Sequence, residues 1–263
     1  MMLLVIEGIL IGLLLGLTGA GGGILAVPAL MVSQGWTVSQ AAPVGLLAVT
    51  FSALIGTIQG LMKRIVRYRA AMWIALISSP MAYVGVRLAQ QIPAVWLALA
   101  FSGVMFIVAY RLFAHGSSEF SNPPCKINPE TGKLIWNVKT AGVLGMIGVI
   151  AGLLTGMLGV GGGFVIVPAL RKATNLSMHS IVATSLMIIF LIGGMSIAIN
   201  VLEGFDYPVS VTLTFVAACV TGMLIGRVAI SKIPAGLVQK IFAFTVIGVA
   251  LYMLIKAVLQ LIA

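Results

Sequence analysis

The chain has 263 residues, of which 61% are hydrophobic and 8% charged, with a formal net charge of +10. A soluble domain carries about 25% charged residues, so a water-soluble globular protein is excluded and a polytopic all-α membrane protein is expected. The positive balance does not point to nucleic acid, because membrane proteins concentrate Lys and Arg in their cytoplasmic loops.

In chain order, residues 1–30 form an apolar segment broken by Gly19-Ala20-Gly21-Gly22-Gly23. The only charge before Lys63 is Glu7, so no secretory signal peptide with a basic n-region is expected. Residues 31–40 read as an uncharged loop and 41–61 as a second apolar span. Lys63-Arg64-Ile65-Val66-Arg67-Tyr68-Arg69 is the densest basic cluster. Residues 70–90 and 94–113 form two further spans, separated near Ile92-Pro93. Residues 114–139 are polar and hold Pro123-Pro124 and Asn128-Pro129, which are loop signals. Residues 140–170 carry a second interrupted segment, followed by spans at 179–200, 208–230 and 236–262. Apolar runs of about 18 residues or more with few charges are membrane-helix candidates.

The second series repeats the first. Residues 156–170 match residues 16–30 at nine of fifteen positions, 140 residues apart, and both copies end in Val-Pro-Ala-Leu, at Pro28 and Pro168. The division expected is a first membrane repeat at 1–113, a polar cytoplasmic linker at 114–139 and a second membrane repeat at 140–263. The charges bear on orientation. Leaving out Lys240 and Lys256, which fall within the last span, inversion of the second repeat puts twelve Lys and Arg on one side and Arg87 alone on the other, while Glu203 and Asp206 fall on the Arg87 side. Parallel repeats give only eight against five. The positive-inside rule therefore favours inverted-topology repeats. Inversion needs an odd number of crossings per repeat. The simplest solution makes each glycine-containing segment re-entrant, within about eight hydrophobic segments in all. Pro28 and Pro168 are expected to break the helices that follow the glycines.

Irregular backbone at membrane depth is tolerated where it is buried in protein or lines a watery cavity. Two roles fit the glycines. Clustered amides at a turn or helix N-terminus make an anion site, or small residues let helices pack closely. Gly12…Gly16 and Gly152…Gly156 have the spacing of packing residues. No Lys-Ser/Thr follows either motif, so neither is a nucleotide loop. Thr50, Ser52 and Thr57, with Thr184, Ser185, Ser196 and Asn200 on the matching span, are polar groups that mostly bond carbonyls of their own helix. Only five acids occur, at Glu7, Glu119, Glu130, Glu203 and Asp206, and no nucleophile–base or metal constellation is legible. Neither an enzyme, a cofactor nor a metal site is expected. Cys125 and Cys219 form no disulfide or metal framework.

With both motifs in view, the sequence resembles the TauE/SafE sulfite-exporter family. The residues that carry the resemblance are Gly19-Ala20-Gly21-Gly22-Gly23 with Val27-Pro28, Gly159-Val160-Gly161-Gly162-Gly163 with Val167-Pro168, and Ala183-Thr184-Ser185-Leu186. The resemblance implies a transporter of sulfite, sulfonates or related anions, multi-pass in the cell (inner) membrane. Family members often read Gly-Thr-Ser-Leu where the first repeat reads Val44-Gly45-Leu46-Leu47. The polar side-chain contacts are therefore expected from Thr184 and Ser185. The expected substrate-binding residues are Gly19, Gly21, Gly22, Gly23, Gly159, Gly161, Gly162, Gly163, Thr184 and Ser185. The expected partners are a small anion and the lipid bilayer, with no nucleic acid and with a homodimer left open. A secondary transporter working by alternating access is the reading these features favour, against an anion channel-like pore or a non-transport membrane scaffold.

Overall fold

The computed structural model describes residues 1–19, 22–114, 125, 134–229 and 235–262. Among them are ten α-helices: α1 Met2–Thr18, α2 Gly23–Gln34, α3 Val38–Met62, α4 Tyr68–Gln91, α5 Ala94–Ala114, α6 Val138–Leu158, α7 Gly163–Ala173, α8 Met178–Leu202, α9 Val209–Ala229 and α10 Ala235–Ile262. Helix is what a lipid environment demands, because each backbone donor and acceptor is then satisfied within its own segment. Among the described residues, six helices are long and apolar enough to cross a membrane: α3, α4, α6, α8, α9 and the Ile241–Leu259 part of α10. The protein is a polytopic membrane protein. Gly21, most of the 114–139 linker and Ile233-Pro234 lie outside the described residues.

Apolar run length located α3, α4, α5, α8, α9 and α10 to within three residues at each end. Two expectations fail locally. Residues 31–40 are not a loop. The Ser33 hydroxyl donates to the Ala29 carbonyl at 2.9 Å, so α2 continues to Gln34. Gly35, at φ 69°, then stops it, and a Thr37/Gln40 capping box starts α3. Pro28 and Pro168 do not break helices either. Each is the sixth residue of its helix, and α2 and α7 run on through it. A proline there removes one intrahelical donor, and the chain tolerates this where neighbouring helices enclose it.

The interruption lies at the glycines. Gly19 caps α1 in the left-handed region at φ 75°, with its N–H on the Leu15 carbonyl at 2.8 Å. Gly159 caps α6 at φ 67°, with its N–H on the Thr155 carbonyl at 2.9 Å. A glycine lacks the Cβ that penalises this conformation. The chain then folds back. A Cβ on Gly22 would sit 2.5 Å from the Ile11 carbonyl oxygen, and one on Gly162 would sit 3.0 Å from that of Ala151. Thus α1–α2 and α6–α7 are tight helical hairpins.

Packing between the first five helices and the last five is reciprocal. α1 lies on α9 and α4 lies on α6, while α3 crosses α8 and α5 packs on α10. Gly8, Gly12 and Gly16 of α1 meet α9 successively at Ala218, Cys219 and Met223, so α1 and α9 run in the same direction. Gly148, Gly152 and Gly156 of α6 meet α4 successively at Ile74, Ser78 and Ala82, so this pair is parallel too. Small residues allow this closeness, and the Ser78 hydroxyl uses it to donate to the Gly148 carbonyl at 2.8 Å. The central pair is antiparallel: Thr50 meets Gly193, Gly56 meets Leu186, and Gly60 meets Ala183.

Candidate functional site

Gly19, Gly22 and Gly23 of the first turn and residues 159–163 of the second are buried, and they meet beside the crossing of α3 and α8. A Cβ on Gly23 would stand 2.8 Å from the Val160 carbonyl oxygen and 3.3 Å from a methyl of Val49. A Cβ on Gly161 would meet the same Val49 at 3.3 Å and Ile189 at 3.0 Å. Gly19 lies against Val182, and Gly159 against Ala42. The short helices α2 and α7 start at these turns, from Gly22 and Gly162, and neither start has a side-chain cap. The first-turn amides of a helix lack intrahelical partners and carry about half a positive charge. The structure therefore sets two uncapped, buried helix N-termini next to one another. The two copies differ in detail: Gly161 and Gly162 are left-handed at φ 75° and 64°, whereas Gly22 has a helical φ of −57°.

Ser185 joins the first turn, its hydroxyl lying 2.8 Å from the Val182 carbonyl and 3.3 Å from that of Gly19. Thr184 does not. Its oxygen accepts the Arg67 backbone N–H at 3.0 Å. The remaining hydroxyls mostly bond their own helices, as Thr50 does on Leu46, Thr57 on Ala53 and Thr221 on Ala217. Ser52 and Ser196 are fully buried, and their hydroxyls have no partner among the described residues.

Three features escaped sequence reading. Arg227, in the last turn of α9, turns inward and donates from Nη2 to the Gly56 carbonyl at 3.2 Å. Glu7 sits in the α1–α2 hairpin facing Ser33, with Oε2 buried and unpartnered among the described residues. A cleft of about 540 Å³ opens between the α2–α3 turn, at Trp36 and Gln40, and the α8–α9 loop, at Phe205, Asp206, Tyr207 and Pro208. None of the expected site residues lines it. The Tyr207 ring packs edge-on against Phe205 at 4.9 Å, and burial pushes its hydroxyl up to about 12. Among the described residues the one ion pair is Arg87 Nη2 to Glu203 Oε1 at 2.9 Å.

Helices long and apolar enough to span a bilayer, with paired helix termini buried among them, are an arrangement found in transporters built from repeats. Residues 4–253 match the family described as Sulfite exporter TauE/SafE. The chain belongs to that family. Similar proteins include a "Probable membrane transporter protein" of Xylella fastidiosa strain Temecula1, 27% identical over 98% of this chain and 96% of its own. Another is the "Probable membrane transporter protein YunE" of Bacillus subtilis, 27% identical over 72% of this chain and 74% of its own. No solved structure matches.

Proposed function

We propose that the protein is a secondary transporter that exports a small sulfur-containing anion, such as sulfite or an organosulfonate, across the cell membrane. The observation that carries this reading is the pair of apposed, uncapped helix N-termini at Gly22-Gly23 and Gly162-Gly163. An anion held there by main-chain amides needs no buried cation. Broken helices of this kind hold substrate near the midplane in transporters built from repeats.

The two repeats, 1–113 and 140–263, have inverted topology in this reading. Support comes from α3 and α8, which occupy matching places in the repeats and run antiparallel. It also comes from Arg87 and Glu203, which share one face, and from Thr184, which sits beside the basic α3–α4 turn. Each repeat then contributes a re-entrant hairpin and three crossings, and rocking of one repeat against the other exposes the site alternately to each side. Membrane potential drives an anion out of a cell by about 2.3 kcal/mol per charge per 100 mV, so export does not require a coupling carboxylate.

The test is a panel of sulfite, thiosulfate, sulfate, sulfoacetate and taurine, scored for thermal stabilisation of the purified protein and for flux in proteoliposomes. At least one is expected to stabilise it and to show saturable flux with counterflow. Non-saturating flux would mean a pore. Absence of both binding and flux across the panel would remove the sulfur-anion assignment.

A further inference from the structure

Two arginines stand at one end of the α3–α8 pair with unfilled donors. Arg227 follows Gly226, which is pressed on Leu13 of α1, so its side chain enters the junction of α1, α3 and α9. Its Nη2 reaches the Gly56 carbonyl, while its Nε is buried with no partner among the described residues. Arg67 precedes α4 and is tied by its backbone N–H to Thr184. Its Nε is likewise buried and unpartnered. Both approach the same stretch of α3: Arg227 lies at Gly56, and Val66, the residue before Arg67, lies at Gly60, one helical turn further along. The Thr184 oxygen accepts from Arg67, and its own O–H has no acceptor among the described residues.

An arginine that merely anchors a helix end extends towards lipid headgroups and water. Arg227 does the reverse. Burying guanidinium donors without a carboxylate or other acceptor is costly, and among the described residues no carboxylate stands at this end. Glu203 is engaged by Arg87, and Asp206 lines the cleft at the opposite end of α8.

The matching positions of the two repeats sharpen the contrast. Arg67 corresponds to Asp206, 139 residues on. Arg227 corresponds to Val86: the former packs on Gly16 and the latter on Gly156, with backbone nitrogens 3.1 and 2.9 Å from the respective Cβ positions. At these matched positions one end carries two arginines and the other an acid and a valine.

We infer that Arg67 and Arg227, with the Thr184 hydroxyl, form an anion-capture site at the α3–α4 end of the path, where the substrate oxyanion docks before it passes to the glycine turns. The inference rests on the transporter reading above. Guanidinium groups match the spacing of two oxyanion oxygens, and Asp206 at the other end repels the same ligand. The asymmetry makes apparent affinity higher from the arginine face. It leaves the net direction to the electrochemical gradient, as linkage requires of any passive carrier.

The experiment measures labelled sulfite flux from each face of oriented vesicles. Arg67→Gln and Arg227→Gln should each raise KM tenfold or more on the face that bears the basic cluster, and Arg227→Lys should recover part of the loss. Arg87→Gln, on the other face, should leave KM unchanged. If the wild type carries sulfite and both glutamine variants keep wild-type KM on both faces, the capture site is overturned and the transporter reading stands. If the wild type neither binds nor carries any anion of the panel, both fall. Should Arg227→Gln fail to accumulate, protection of Arg227 from phenylglyoxal by sulfite in the wild type decides: protection supports the site, and its absence overturns it.

Discussion

The glycines of the two turns are under two demands at once, and this shapes how their role can be tested. Gly162 is left-handed at φ 64°, and a Cβ there would approach Thr155 Oγ1 to 2.7 Å. Gly162→Ala should therefore lower stability by at least about 1–2 kcal/mol, the cost of left-handed backbone for a residue with a Cβ, and purified protein should melt earlier in detergent. Gly103 is the control. It is helical, and its Cβ position meets nothing within 4 Å, so Gly103→Ala should gain about 0.5–1 kcal/mol. Loss of flux in Gly162→Ala alone would not separate a binding role from a structural one. The glycines were legible in the sequence because a triple glycine inside apolar sequence has few explanations. Arg227 was not, because a cation at the end of a span is what the positive-inside rule predicts, and only the rotation of α9 about its axis decides whether it points out or in.

At the level of elements, hydropathy locates spans well because a bilayer fixes both their length and their composition. It locates breaks poorly. Proline at Pro28 and Pro168 is a strong local signal against helix, yet α2 and α7 continue, held among neighbouring helices. Conversely, Ser33 and Gln34 look like loop residues, but Ser33 finds an acceptor one turn back. Interhelix contacts were legible where small residues recur at four-residue spacing. Gly152 is pressed on the backbone of Ser78, whose Cα would lie 2.8 Å from an added Cβ, whereas Gly142 on the same helix has open space. Gly152→Leu should cost about 1–3 kcal/mol or more by overpacking the α4–α6 contact, seen as loss of the monodisperse peak in size-exclusion chromatography. Gly142→Leu should leave the peak unchanged.

For the whole molecule, sidedness is the property on which charge and geometry meet. The charge count placed Arg87 with Glu203, and these two form the ion pair; it placed Arg171 and Lys172 with the basic cluster, and the start of α8 bonds the α3–α4 turn, with the Ser180 hydroxyl on the Ile65 carbonyl at 2.7 Å. In a Cys-free background, single cysteines at Lys63 and Arg171 should be labelled from one side of the membrane and those at Arg87 and Phe205 from the other. Labelling of residue 205 from the Lys63 side would remove the inverted arrangement. The reciprocal packing of the ten helices also has a bearing on synthesis. α1 ends at Thr18, yet the helix that covers its glycine face does not begin until Val209. At about 5–20 residues per second, that face waits in the bilayer for roughly 10–40 s before its partner is made, whereas α6 enters a membrane in which α4 is already in place. α6 thus meets its main partner as it is made, and α1 does not.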